Sequence, residues 1–128
     1  MSAAVIGGHM RSLASYPGIR GCALVESDTG MVWYHAGELP GLESIAEAAI
    51  EFWRVHARHT ARFAQFGPLQ SAAFSFAEQV VALFPCTASG LVLVCVADKG
   101  SIGWTAWGDR VQELKRALAL PDAVAARR

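Results

Sequence analysis

Residues 91–97 read Leu-Val-Leu-Val-Cys-Val-Ala, an apolar run with no polar interruption. Side chains of a strand alternate between its two faces. A strand that is apolar on both faces has to be covered on both. This one stretch therefore demands a central strand in a sheet, with helices packed above and below it.

The rest of the chain supplies that sheet and those layers. Tyr16-Pro17-Gly18 reads as a turn, because proline presets φ and glycine tolerates positive φ. "IRGCALVES" (19–27) follows as a strand, Asp28-Thr29-Gly30 as a hairpin turn and "MVWYHA" (31–36) as the return strand. "LQSAAFSF" (69–76) alternates, with Ala72, Phe74 and Phe76 on one face and Ser71, Ala73 and Ser75 on the other. "QVVALFPC" (79–86) is a further strand, with Pro85 near its end, and Ser89-Gly90 turns the chain into the central run.

Three segments read as helix. Residues 2–15 predict a short one, interrupted by Gly7-Gly8. Residues 41–66 carry the strongest 3.6-residue periodicity, with Leu42, Ile45, Ala49, Phe52, Trp53, Thr60 and Phe63 on one face, and Gly67-Pro68 ends the segment. From Ser101 to Leu120, Trp104, Trp107, Val111, Leu114 and Leu118 form one apolar stripe, and Pro121 stops the helix. The expected architecture is α/β in the α+β sense. A five-stranded antiparallel sheet carries the long helix on one face and the terminal helices on the other. One domain is expected over residues 1–120, followed by a frayed tail over 121–128.

Composition narrows the function. At 128 residues and 53% apolar, the chain can bury a core without disulfides or metals, and a charged fraction of 17% argues against disorder. The formal net charge is zero, so there is no electrostatic footprint for nucleic acid. No apolar run approaches the roughly 20 residues of a membrane span. The N-terminus, "MSAAVIGGHM", lacks the basic start and long apolar stretch of a signal peptide, so the cytosol is the expected compartment.

Candidate chemistry is sparse. "VADKGSIGW" has the strand, glycine turn, helix layout of a phosphate cradle. A Walker loop needs Gly-x-x-x-x-Gly-Lys-Ser/Thr, and here Lys99 precedes Gly100. The expected roles are structural: an unusual backbone angle at Gly100 and a helix cap at Ser101. Asp28-Thr29-Gly30 has no second copy, so it offers no protease dyad. Cys22, Cys86 and Cys95 form no CxxC pattern and read as reduced core thiols. His56 and His59 stand three apart without a third ligand or a His-Glu-x-x-His motif. Trp53, Trp104 and Trp107 read as core, and Trp33 as partly exposed. No catalytic residue, cofactor or metal is expected, and hence no enzyme.

The surface of the long helix is more informative. Glu43, Glu47 and Glu51 lead its outer face, and Arg54, Arg58 and Arg62 follow, an order that suits the helix dipole. This is either a solvated face or a partner surface built on Glu51, Arg54, Arg58 and Arg62. Beside the main stripe, Ala48, Val55, His59 and Phe66 make a second apolar flank, and a helix with two apolar sides has two things to pack against.

Two blocks, "YPGIRGCALVESDTGMVW" and "LVLVCVADKGSIGW", stand in order around the long helix. Over residues 10–118 the pattern resembles the roadblock family of dynein light-chain-like domains. The resemblance implies a non-catalytic dimeric binding module that regulates or positions a small Ras-like GTPase or another signalling partner. It also implies a homodimer in which two edge strands join and the long helices lie side by side. The expected interface comprises Ala48, Val55, His59, Phe66, Ser71, Ala73 and Ser75. The alternative is a small-molecule sensor of profilin, PAS or GAF-like architecture, with a pocket against the sheet.

Overall fold

A computed structural model of the chain describes residues 2–100 and 103–119. Helix α1 (Ser2–Ala14) leads into strands β1 (Ile19–Glu26) and β2 (Val32–Gly37). Helix α2 (Leu42–Ala57) follows, then a single turn α3 (Thr60–Phe63) and a 3-10 turn over Ala64–Phe66. Strands β3 (Ala72–Ser75), β4 (Gln79–Pro85) and β5 (Leu91–Asp98) precede the last helix, α4 (Trp104–Leu118). The strands form one sheet in the order β2-β1-β5-β4-β3, with every neighbouring pair antiparallel.

The apolar run lies where its pattern requires. β5 is the middle strand, and Leu91 through Ala97 are all buried. One face of the sheet packs against α1 and α4, through Cys22, Leu24, Leu93 and Cys95 from the strands and Met10, Leu13, Trp107 and Leu114 from the helices. The other face packs against α2, where Ala23, Val25, Val92 and Val94 meet Ala46, Ala49 and Ile50. The terminal helices are locked to each other by Trp107, which has no exposed surface. Its indole N–H donates to the Leu13 carbonyl at 3.2 Å, a bond that satisfies two polar groups inside the core.

Glycine is required at one close approach. Gly37 has φ +108, and a Cβ there would lie 2.6 Å from backbone atoms of Arg20 and Gly21. Only a residue without a side chain lets the end of β2 lie this close to β1.

Three expectations are corrected. Gly7-Gly8 does not interrupt α1, because Ile6, Met10 and Leu13 recur on one side and are buried against the sheet and α4. Tertiary packing outweighs the propensity cost of two glycines. The long helix does not run from 41 to 66. It ends at its C-cap, Arg58, and His59 leaves helical geometry at φ −121, ψ 21. No sheet lies beneath the residues beyond, where Thr60 through Phe66 are all exposed. Finally, α4 begins one residue after Gly103, which is its N-cap and offers no side-chain bond. Ser101 and the tail over 121–128 lie outside the described residues. The expected positive φ at Gly100 is present, at +79.

Candidate interaction surface

The buried stripe of α2 consists of Leu42, Ala46, Ala49 and Ile50. It shares only Leu42 and Ala49 with the expected stripe. Ile45 and Trp53 are half-buried, whereas Phe52, Thr60 and Phe63 are exposed. The small residues Ala46 and Ala49 let the helix approach the sheet, and this rotates the bulky Phe52 out to one side.

That rotation assembles an apolar surface. Ala48, Phe52 and Val55 recur at steps of four and three, so they share one flank of the helix, and His59 follows in the turn beyond its C-cap. All four are exposed, and Phe52 and Val55 keep 53% and 47% of their surface. The Phe52 ring lies 4.3 Å from that of Phe74 on β3, so this flank faces the β3 edge of the sheet. A separate chain of rings runs from Trp53 to Phe66. His56 lies 5.6 Å from Trp53 and stacks at 5.9 Å on Phe63, which lies 6.4 Å from Phe66. Phe66 is 74% exposed, a large apolar side chain with little to cover it. Beside these rings, His56, Phe63, Pro68 and Leu69 line an open hollow of about 420 Å³.

The strand next to this flank is open. β3 is an edge of the sheet. The Phe76 N–H donates to the Gln79 carbonyl at 2.8 Å, and the β3–β4 register runs unshifted from there. Antiparallel ladders alternate, so Phe74 and Ala72 turn their backbone groups to β4, while Ala73 and Ser75 turn theirs outward. Exposed edges of this kind are templates for a further strand. On the face away from α2, Ser71, Ala73, Val80, Ala82 and Trp104 line an apolar groove of about 300 Å³. The expected residues Ala48, Val55, His59, Phe66, Ser71, Ala73 and Ser75 are all exposed, and Ser71, Ala73 and Ser75 lie on or beside the edge strand that the Phe52 flank faces. Phe52 and Phe63 belong with them. Sequence periodicity missed both, because an exposed phenylalanine at helical spacing looks like core.

The charged residues are arranged differently from the expectation. Glu51, Arg54 and Arg58 lie on the other flank of α2, roughly 100° around the helix from the apolar one. Arg54 is half-buried. Its Nε donates to the Ser27 carbonyl at 2.8 Å, and its Nη1 pairs with Glu51. It therefore ties α2 to the β1–β2 hairpin. Glu51 and Arg58 are exposed, and so is Arg62, which sits on α3 beyond the helix end. The four residues do not form one stripe on one helix.

The remaining polar sites hold the scaffold. Lys99 donates from Nζ to the Phe76 carbonyl at 3.1 Å, so the corner that follows β5 fastens the β3–β4 turn. Arg20 Nε donates to Asp98 at 2.9 Å across β1 and β5, and this bond holds the Asp98 carboxyl below the usual carboxylate range. Burial pushes the Cys86 thiol up to about 11, the opposite of what an activated nucleophile needs. No helix among the described residues is long and apolar enough to cross a membrane.

No family model and no curated protein matches the chain. Solved structures do match. A roadblock/LC7 domain from Streptomyces avermitilis aligns with a TM-score of 0.73 at 17% identity, over 88% of this chain and 92% of that one. Myxococcus xanthus MglB aligns at 0.70 and 16%, over 91% and 86%. A structure described as MglB with tetrameric arrangement aligns at 0.69 and 17%, over 91% and 89%. Helix order, sheet order and the two covered faces thus agree with the resemblance in the sequence: this chain has the fold of a roadblock/LC7 domain.

Proposed function

We propose that the chain is a non-catalytic homodimeric binding module that docks a small Ras-like GTPase, or a comparable signalling protein, in the cytosol. One observation carries the reading. The open backbone of Ala73 and Ser75 and the apolar flank of Phe52 and Val55 stand side by side on the same edge of the molecule. A second copy related by a two-fold axis satisfies both at once. Its β3 pairs antiparallel with this one, in a register that sets Ala73 opposite Ser75 or opposite itself. The α2 flanks then meet above the joined sheet and cover the exposed phenylalanines. The structure described as MglB with tetrameric arrangement, which shares this fold, supports self-association.

In such a dimer the charged flanks point away from the two-fold axis. Glu51, Arg58 and Arg62 then rim each side of the helix pair, where charge complementarity steers a protein partner. Arginine suits planar contacts to carboxylates on that partner. Arg54 contributes through the position of the hairpin. Two measurements test the reading. Light scattering at tens of micromolar should give the dimer mass, and a monomer alone refutes self-association. Arg58→Glu with Arg62→Glu should keep the dimer mass but lose capture of the GTPase. Undiminished capture places the docking surface elsewhere.

A further inference from the structure

The central strands carry two thiols for which surface docking has no use. Cys22 on β1 and Cys95 on β5 are register partners with no exposed surface. Both are free, and both join the core on the α1–α4 face, so their side chains point to the same side of the sheet.

The ladder fixes which kind of pair they are. The Ser27 N–H donates to the Gly90 carbonyl at 2.9 Å, and the β1–β5 register runs unshifted from Glu26↔Leu91 to Gly21↔Val96. Counting back in steps of two, Val25, Ala23 and Gly21 direct their backbone groups at β5, whereas Leu24 and Cys22 direct theirs at β2. The neighbouring ladder agrees. The Cys86 N–H donates to the Leu91 carbonyl at 2.8 Å, and the unshifted β4–β5 register then turns the backbone of Cys95 toward Ala82. Cys22 and Cys95 are therefore a non-hydrogen-bonded pair. Such pairs bring their Cα atoms to about 4.5 Å, the closer of the two antiparallel spacings. A disulfide accepts roughly 4.4–6.8 Å. The hydrogen bond with Cys22, and then burial, push the Cys95 thiol up, which keeps it protonated while the sheet is closed.

We propose that Cys22 and Cys95 are an oxidisable cross-strand dithiol, which a hydroperoxide closes into a disulfide pinning β1 to β5 when the strands open locally. The chemistry balances with hydrogen peroxide. One cysteine, as thiolate, attacks a peroxide oxygen; the O–O bond breaks, hydroxide leaves as water and a sulfenic acid remains. The second cysteine attacks that sulfur, the S–O bond breaks and a second water leaves. Two thiols are oxidised, and one peroxide is reduced to two waters. Cys86 stands apart, its thiol donating to the Phe84 carbonyl at 3.5 Å.

The test uses the full chain carrying Cys86→Ala, treated with hydrogen peroxide in buffer and in urea below the unfolding midpoint. The expected product has lost two hydrogens by intact mass and yields one linked peptide joining Cys22 to Cys95. Closing a loop of roughly 70 residues should raise the guanidinium midpoint by on the order of 1 M, reversibly on reduction. Adding Cys22→Ala should abolish both changes. Oxygen addition without the linked peptide under both conditions overturns the proposal. A linked protein with an unchanged or lowered midpoint overturns the pinning.

Discussion

Phe52→Ala should weaken self-association strongly while leaving the fold in place. Phe52 keeps 53% of its surface exposed in the single chain. Full burial of a phenylalanine side chain stabilises by up to about 3 kcal/mol, so covering the exposed half contributes about 1.5 kcal/mol. A two-fold interface counts the residue twice, giving about 3 kcal/mol per dimer. At 1.4 kcal/mol per decade, the dissociation constant should rise on the order of 100-fold. The cost to the single chain is about 1.4 kcal/mol, from the half of the ring already covered beside Phe74, which a stable fold absorbs. Sedimentation equilibrium over a wide concentration range reads the dissociation constant, and urea unfolding of the monomeric fraction reads the fold. A constant that moves less than about threefold, or a dimer that survives with Phe74 also truncated, would refute the idea that this flank meets its copy.

Other perturbations test the scaffold. Trp107→Phe removes the indole donor to the Leu13 carbonyl, which keeps only the longer bond from the Tyr16 N–H at 3.4 Å, and should cost about 1 kcal/mol in urea unfolding with the m-value unchanged; no measurable loss would mean the Tyr16 N–H suffices. Arg20→Gln removes the guanidinium that holds Asp98 below its ordinary value of 3.8. A depressed carboxylate contributes stability above its unfolded pKa and loses it as pH falls through the folded one. The midpoint gap between wild type and Arg20→Gln should therefore close below pH 3.8, and a gap that widens in acid contradicts the pairing. Calorimetric titration with ATP and GTP should be flat, since Lys99 is engaged by the Phe76 carbonyl; a micromolar signal lost in Lys99→Ala would restore the phosphate-cradle reading.

Those elements whose signal is local were legible in the chain. The apolar run at 91–97 could only be a doubly covered strand, and it is the middle one. Asp28-Thr29-Gly30 could only reverse the chain, and Gly30 does so at φ +79. The stripe of α4 followed its spacing, with Trp107, Val111, Leu114 and Leu118 buried, although Trp104 at its first turn stays 42% exposed beside the β3 groove. The placing of α2 opposite the terminal helices also followed from element order.

Where periodicity met choices that depend on neighbours, tertiary structure decided. On α2 both Phe52 and Ile50 fit an apolar helical pattern, and the sheet chose Ile50 because the small Ala46 and Ala49 beside it permit the closer approach. The helix stopped at Arg58 because nothing beneath it remained to be buried, a fact about the sheet's extent that no local propensity encodes. In the other direction, α1 ran through Gly7-Gly8 because Ile6, Met10 and Leu13 had a surface to bury against. Arg54 read as one of three equivalent outer arginines, but the hairpin carbonyl of Ser27, distant in sequence, set it apart. Periodicity records which side chains avoid water; which of them find cover depends on surfaces that exist only once the distant strands have paired.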